Sequence, residues 1–448
     1  MEFNRSFINS KKAFYLLGGL SLLIYAEWAY DLARFEHSKL LALYALLFGG
    51  YYLILKHTNT KERHLTYLAI GFRLVFLVAI PNLSQDFYRF IWDGRLLLAG
   101  LNPYLFTPNG LVYSQPDLFP QMKLLFEGMG ALSASHFSNY PPIHQLPFVI
   151  AAMLSKHSIL GSVIMLRLIL IGADLGILFF GKKLLKTLQL PTKKIYWFIL
   201  NPLVIIELTG NLHFEGLMLF FFLMALYFIH SKKWHLAALT MALSIAVKLV
   251  PILTFPLFLN KLGWRKSIRF YVTIGVLFLL LFWPFLDGDF IENYSTTIGL
   301  WFSKFEFNAS FYYFLKWGLE TTSNLELIHS MGIVMVSFLA LLTCYLLLKN
   351  KSKTTELILM ILWVLSGYYF ISTTVHPWYI ISLLLLSTFT NYKFVRLWSF
   401  TLIFSYFAYN QSSVNENGLI LCVEYIPVLS VLAWELYKKL SFKKLKHH

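Results

Sequence analysis

Long apolar stretches separated by short polar and basic ones run through most of the chain. They fall at about 13–30, 38–55, 65–80, 158–182, 194–209, 215–231, 234–247, 249–261, 268–287, 326–348, 355–372, 377–391, 396–410 and 418–437. Most approach the roughly 20 residues that an α-helix needs to cross a bilayer. Their apolar residues run on without alternating with polar ones, which argues against a transmembrane barrel. The pattern predicts an all-α polytopic membrane protein with about 12–14 transmembrane helices.

Two segments need arbitration. Residues 141–154, "PPIHQLPFVIAAML", are apolar but short, and spanning would put the Lys-rich 182–194 stretch on the opposite side. They are expected at the outer surface as an interfacial segment. Residues 234–261 are basic at both ends, so a hairpin of two half-helices is expected, bending near Lys248 and Pro251. Two longer external loops remain, at 81–157 and 288–325. The first is rich in Gly, Pro and aromatics, and loops of that length are usually functional. Juxtamembrane amphipathic helices are expected at about 86–99 and 120–128. There is no internal repeat, and 1–448 reads as one membrane domain.

Charge fixes the expected orientation. Of the 38 lysines and arginines, 27 fall on the side of the termini and 8 on the other. The positive-inside rule then puts both termini in the cytoplasm. The net charge of +16 is accounted for by these anchors at the anionic inner leaflet, so nucleic acid is not an expected partner and membrane lipids are. With 58% hydrophobic and 13% charged residues, a soluble fold is excluded. The N-terminal apolar run shows no small-residue cleavage site and reads as a retained helix. Cys344 and Cys422 both lie in apolar segments, which suggests neither a disulfide framework nor a metal site.

The candidate chemistry lies where charge interrupts this pattern. "SQDFYRFIWDGRLLLAGLNPYLFTP", residues 84–108, carries Asp86, Arg89, Asp93 and Arg95 just beyond the third span. As a helix it puts Asp86, Arg89 or Phe90, and Asp93 on one face. Asp86 in the first turn is also what a helix start favours on its own. "DGR" and "GLNPY" look like turn punctuation. Arg73, Arg167, Asp174, Lys248, Glu207 and Glu424 fall at membrane depth, where each charge must face protein or a wet cavity. Arg167 and Asp174 share one helix face and are open to coupling through a water or a neighbour. A second polar cluster, "ELTGNLHFEG" at 207–216, holds Glu207, Asn211, His213 and Glu215. A metal at His213 and Glu215 lacks a third ligand. A third cluster, "STTVHPWYI" at 372–380, carries His376 and Trp378, and aromatics of this kind also mark a plain membrane interface. The topology puts all three at or towards the outer face. Cations there would neutralise phosphate, aromatics would stack on sugar, and a carboxylate would activate a hydroxyl.

"DFYRFIWDGRLLLAGLNPY", "YPPIHQ", "RLILIGADLG", "NPLVIIELTGNLHFEGLMLFF", "AVKLVP" and "VHPWY" occur in an order that resembles bacterial GT-C-type mannosyltransferases. The resemblance runs from about residue 80 to 380. It implies a GT-C-like fold in the bacterial inner membrane, with the active site facing the periplasm or outside. It implies transfer of mannose from a polyprenyl-phosphate donor to a hydroxyl of a glycan, glycolipid or protein. The reaction would invert the anomeric centre, with Asp86 as general base and no cofactor or required metal. By position, His376, Lys248 and Arg89 are nominated for the donor phosphate. Tyr88, Asp93, Arg95, Tyr140, Glu207, Asn211, His213, Glu215 and Trp378 are expected at the cavity, with Asp93 and Arg95 more suited to holding the loop. The sequence departs from many GT-C enzymes in separating its two loop acids, Asp86 and Asp93, and in carrying Glu215 where an aspartate is common. Three spans before Asp86 also argue against the oligosaccharyltransferase branch. Another polyprenyl-phosphate sugar is the near alternative. A transporter or flippase for a lipid-linked glycan is the distant one, although no inverted repeat is visible.

Overall fold

The structure is a computed structural model and describes residues 11–57, 60–303, 305–320, 327–349, 353–410 and 414–444. Helices carry the chain throughout. Among the described residues the only β-pairings are isolated bridges, Phe307 with Thr374 and Tyr409 with Val414. Among the described residues six helices are long and apolar enough to cross a membrane: Lys11–Asp31, His37–Lys56, Ile159–Thr187, Trp264–Phe285, Thr354–Ile371 and Gly418–Lys439. The chain is thus an all-α polytopic membrane protein. The remaining apolar stretches also form helix, but in shorter or broken pieces. Pro202–Gly210 and Glu215–His230 meet at a bend of 114°. Trp234–Ile245 is followed by a 3₁₀ segment, Val250–Phe258, that carries two prolines. Pro251 and Pro256 each lack a backbone N–H, so the expected hairpin bends there and Lys248 sits in its turn.

The 81–157 segment folds into helices. Asp86–Leu98 begins at Asp86, and Met122–Ala134 and Pro142–Leu154 pack against it. Gly94 corrects the reading of "DGR" as a turn. The helix runs through it, and the missing side chain lets Phe148 of the neighbouring helix approach. A Cβ on Gly94 would collide with the Phe148 carbonyl and lie 3.2 Å from the Phe148 Cβ. "GLNPY" does end the helix, with Gly100 at φ +80°.

The charges expected at membrane depth meet partners inside the bundle, Glu424 among them by accepting from Asn308 Nδ2 at 3.0 Å and Trp398 Nε1 at 3.3 Å. Arg73 Nε donates to Asp174 Oδ2 at 2.6 Å, with both side chains buried. Asp174 is therefore matched by a different helix and not by Arg167. Arg167 instead donates to the backbone carbonyls of Thr209, Gly210 and Leu77. Two of these carbonyls end the π-helical turn Ile205–Gly210, where wider winding leaves acceptors that a guanidinium fork can satisfy. Arg167 so holds the bend that presents residues 211–215.

Candidate active site

Three segments distant in sequence meet around Asp86. The first is the start of helix Asp86–Leu98. The second is the bend at 207–215, where Leu212 takes φ +64°. A left-handed leucine is a strained backbone held by its surroundings. Asn211 N donates to Ile206 O and His213 N to Glu207 O, which fixes the turn. The third is the 372–380 segment, tied to the 288–325 loop by Phe307 N to Thr373 O and Val375 N to Phe307 O.

His213 joins the first two segments. Its Nδ1 is 4.0 Å from Asp86 Oδ2, and its Nε2 is 3.5 Å from Glu207 Oε2. Glu207 also accepts from Tyr406 Oη at 2.6 Å and from Asn211 Nδ2 at 3.1 Å. The His213 ring stacks on Trp378 at 3.6 Å between centroids, and the His376 ring also stacks on that indole, at 4.4 Å. Phe307 stacks on His376 at 4.9 Å. With stacked rings on the indole from both His213 and His376, Trp378 serves to align the two imidazoles. It is not a free platform for sugar, as the sequence had suggested.

Lys248 reaches the same place from the hairpin turn. Its ammonium pairs with Glu215 and lies 5.8 Å from the Tyr379 ring centre. The turn is clipped to the first loop: Ile143 N and His144 N both donate to Ala246 O, and the His144 ring bonds Val247 O through Nδ1 at 3.0 Å. A carbonyl only accepts, so Nδ1 of His144 carries the hydrogen. Tyr140 packs edge-on against His144 at 4.7 Å.

Asp86 is the most accessible acid of the group. Its side chain is 38% exposed, whereas Glu207 and Glu215 are buried. The Asp86 carboxyl is nevertheless pushed up to about 6, mainly because the protein around it excludes water. Lys248 and Arg34 pull it down and Glu215 pushes it up. A carboxylate tuned towards neutrality and open on one side suits proton abstraction near pH 7.

The other nominated residues are placed elsewhere. Arg89 is buried, with Nε on Asp93 Oδ1 at 2.8 Å and Nη1 on the carbonyls of Ser133 and His136. It organises the loop interior and is not directed at a donor phosphate. Asp93 completes that network by accepting from Ser138 and Gln145. Arg95 binds Pro120 O, Gln121 Oε1 and His157 O. Both are therefore tied into the loop interior and not turned to the Asp86 cluster. The Tyr88 ring lies against Gly128, in the packing between loop helices. Among the described residues no three His, Cys, Asp or Glu side chains are grouped as metal ligands.

Sequence reading overlooked Arg34, His144, Tyr379, Tyr406 and Tyr409. Arg34 lies 4.1 Å from the Tyr409 ring centre and donates to Leu83 O, beside the entry to the Asp86 helix. His144 and Tyr379 stand within motifs already singled out, "YPPIHQ" and "VHPWY". Arg34, Tyr406 and Tyr409 carry no local signal, because only packing brings Arg34 and Tyr409 near Asp86 and Tyr406 to Glu207.

Residues 21–262 match a protein family described as alpha-(1->6)-mannopyranosyltransferase, N-terminal domain. The match contains Asp86, Glu207, His213, Glu215 and Lys248, and ends before His376. The chain is similar to alpha-(1->6)-mannopyranosyltransferase A of Mycobacterium tuberculosis, with 25% identity over 195 residues. That alignment covers 41% of this chain and 36% of the relative, so the chain spans about a third of the curated relative it matches. No solved structure matches. More than half of the chain, with the Asp86 cluster inside it, thus belongs to this family, and the protein is a member of the alpha-(1->6)-mannopyranosyltransferase family.

Proposed function

We propose that the chain transfers mannose from a polyprenyl-phosphate donor to an acceptor hydroxyl on the outer face of the bacterial inner membrane, with inversion and with Asp86 as base. The observation that carries this reading is the meeting of one half-exposed, pKa-raised carboxylate with a lysine and two stacked imidazoles at the end of a broken span. Asp86 accepts the proton of the acceptor hydroxyl. The hydroxyl oxygen bonds to the anomeric carbon as the bond from that carbon to the phosphate oxygen breaks. The bonding pair leaves on polyprenyl phosphate, and Lys248 and His376 are assigned to that developing charge. Lys248 already pairs with Glu215, so the phosphate competes with that carboxylate for the ammonium. Tyr140 and Tyr379 take the sugar-facing role that Trp378 cannot. The charge asymmetry supports cytoplasmic termini and an outward-facing site. The acceptor is a glycan, glycolipid or protein hydroxyl.

The test is transfer of radiolabelled mannose from polyprenyl-phosphate mannose by purified protein in lipid nanodiscs, with a membrane extract as acceptor. Transfer that is lost in Asp86→Asn is expected. No transfer by the native chain, or equal transfer by Asp86→Asn, refutes the proposal. Movement of label across liposomes with its lipid linkage intact would identify a flippase instead.

A further inference from the structure

A base that takes one proton per turnover must lose it before the next. Asp86 is open on one side, and in the proposed reaction donor and acceptor fill that side and obstruct release while they are bound. On another side stands His213, buried between two carboxylates, with Nδ1 4.0 Å from Asp86 and Nε2 3.5 Å from Glu207. Nε2 is buried and has no hydrogen-bond partner, although Glu207 Oε2 is its nearest acidic neighbour. Such contacts are commonly long before substrate binds and tighten in the complex.

We infer that His213 carries a proton relay that returns Asp86 to its ionised form by passing the proton to Glu207. The inference rests on Asp86 acting as base. After transfer Asp86 is protonated, and its hydrogen faces Nδ1 of His213. That imidazole is then in the tautomer with hydrogen on Nε2, directed at ionised Glu207. Asp86 gives its proton to Nδ1, Nε2 gives its own to Glu207 Oε2, and the imidazole changes tautomer. One proton has moved from Asp86 to Glu207, and His213 is neutral before and after. Once the products leave, the reverse shift restores hydrogen to Nε2 of His213 and returns the proton to Asp86, whose partly exposed carboxyl gives it to water. A relay of this kind suits a histidine that is only 2% exposed, because it needs no lasting charge at that depth.

The surroundings agree with this direction. Ionised Glu207 is met by two donors, Tyr406 and Asn211. The face of His213 is held by Trp378, which fixes the ring plane between the carboxylates. The chargeable groups facing His213 from other elements are Lys248, His376 and His144, besides Asp86 and Glu207. Lys248 is the cation among them, and it is committed to Glu215. It opposes a second positive charge on His213, which again favours tautomer exchange over a charged imidazolium.

The experiment uses the full chain in nanodiscs with polyprenyl-phosphate mannose and the membrane acceptor extract. His213→Ala and Glu207→Gln are each expected to lower kcat by about tenfold or more, with the donor KM within about twofold of the native value. Free imidazole in the buffer is expected to restore kcat in His213→Ala, and to leave Glu207→Gln and Asp86→Asn slow. Unchanged kcat in either relay variant overturns the inference. So does a kcat loss in His213→Ala that imidazole does not restore, or one matched by a rise in donor KM. Glu207→Gln keeps the shape of the site and so remains informative if His213→Ala folds poorly. An Asp86→Asn protein as active as the native one would refute the transfer mechanism itself. An inactive Asp86→Asn beside unaffected relay variants would refute the relay alone.

Discussion

The raised pKa of Asp86 makes the pH dependence of transfer the most direct test of the site. Burial pushes this carboxyl up to about 6, against an ordinary aspartate near 3.8, while Lys248 holds it down. A base works only when ionised, so kcat/KM should fall as pH drops through the pKa of the free protein. With a value of about 6, roughly one molecule in eleven is competent at pH 5, and the rate there should be about tenfold below its plateau. An unperturbed carboxylate would lose only about a tenth of its activity at pH 5. The perturbation that isolates the cause is Lys248→Met, which removes the opposing cation and keeps a chain of similar length. A neighbouring cation lowers a carboxyl by roughly 1–3 units, and the partial exposure of Asp86 screens the effect, so a rise of about one unit is expected. The acid limb should move from about 6 to about 7, a change worth about 1.4 kcal/mol. Loss of donor affinity in the same variant changes the height of the curve and not the position of its limb. The assay is radiolabel transfer from pH 4.5 to 8 under subsaturating donor. A limb near pH 4 in the native protein, or one that stays in place in Lys248→Met, would refute the assignment.

Four further outcomes test the architecture. Arg89→Ala should lower the thermal midpoint, since its removal strips a buried partner from Asp93 and from two loop carbonyls, while donor KM changes far less than in Lys248→Ala; steady-state kinetics beside a melting assay separates the two. Asp174→Ala should destabilise by about 3–5 kcal/mol by leaving the Arg73 guanidinium unmatched at depth, and replacing both by apolar residues should recover much of that, which denaturant titration in detergent would show. Gly94→Ala should be among the most damaging single-methyl additions in the first loop, costing about 1–3 kcal/mol or more, because the obstructing atom is the backbone carbonyl of Phe148; monodispersity on size exclusion and thermal midpoint are the readouts. Trp378→Ala should cost about 0.5–1.5 kcal/mol for each lost ring contact and slow transfer by freeing both imidazoles, whereas Trp378→Phe should retain most of both.

The sequence by itself determined the solvent in which this protein folds. Long unalternated apolar runs leave only helices as a way to satisfy the backbone in lipid, and every such run that lies within the described residues is helical. It also marked the start of the Asp86 helix and the hairpin turn at Lys248, because these follow from local rules of capping and proline geometry. Which apolar runs are long straight spans and which are bent or short was decided by packing around prolines and by the Arg167 clamp on the 205–210 turn. Partner choice among buried charges was likewise tertiary. Helical spacing offered Arg167 to Asp174 and position offered Arg89 to a phosphate, yet the fold gave Asp174 to Arg73 and turned Arg89 inward. Spacing along one helix limits which residues share a face, and it says nothing of what the adjoining helix brings. The approach of His213 to Asp86, 127 positions apart in the chain, exists only once the bend at 207–215 and the 81–157 loop are packed together.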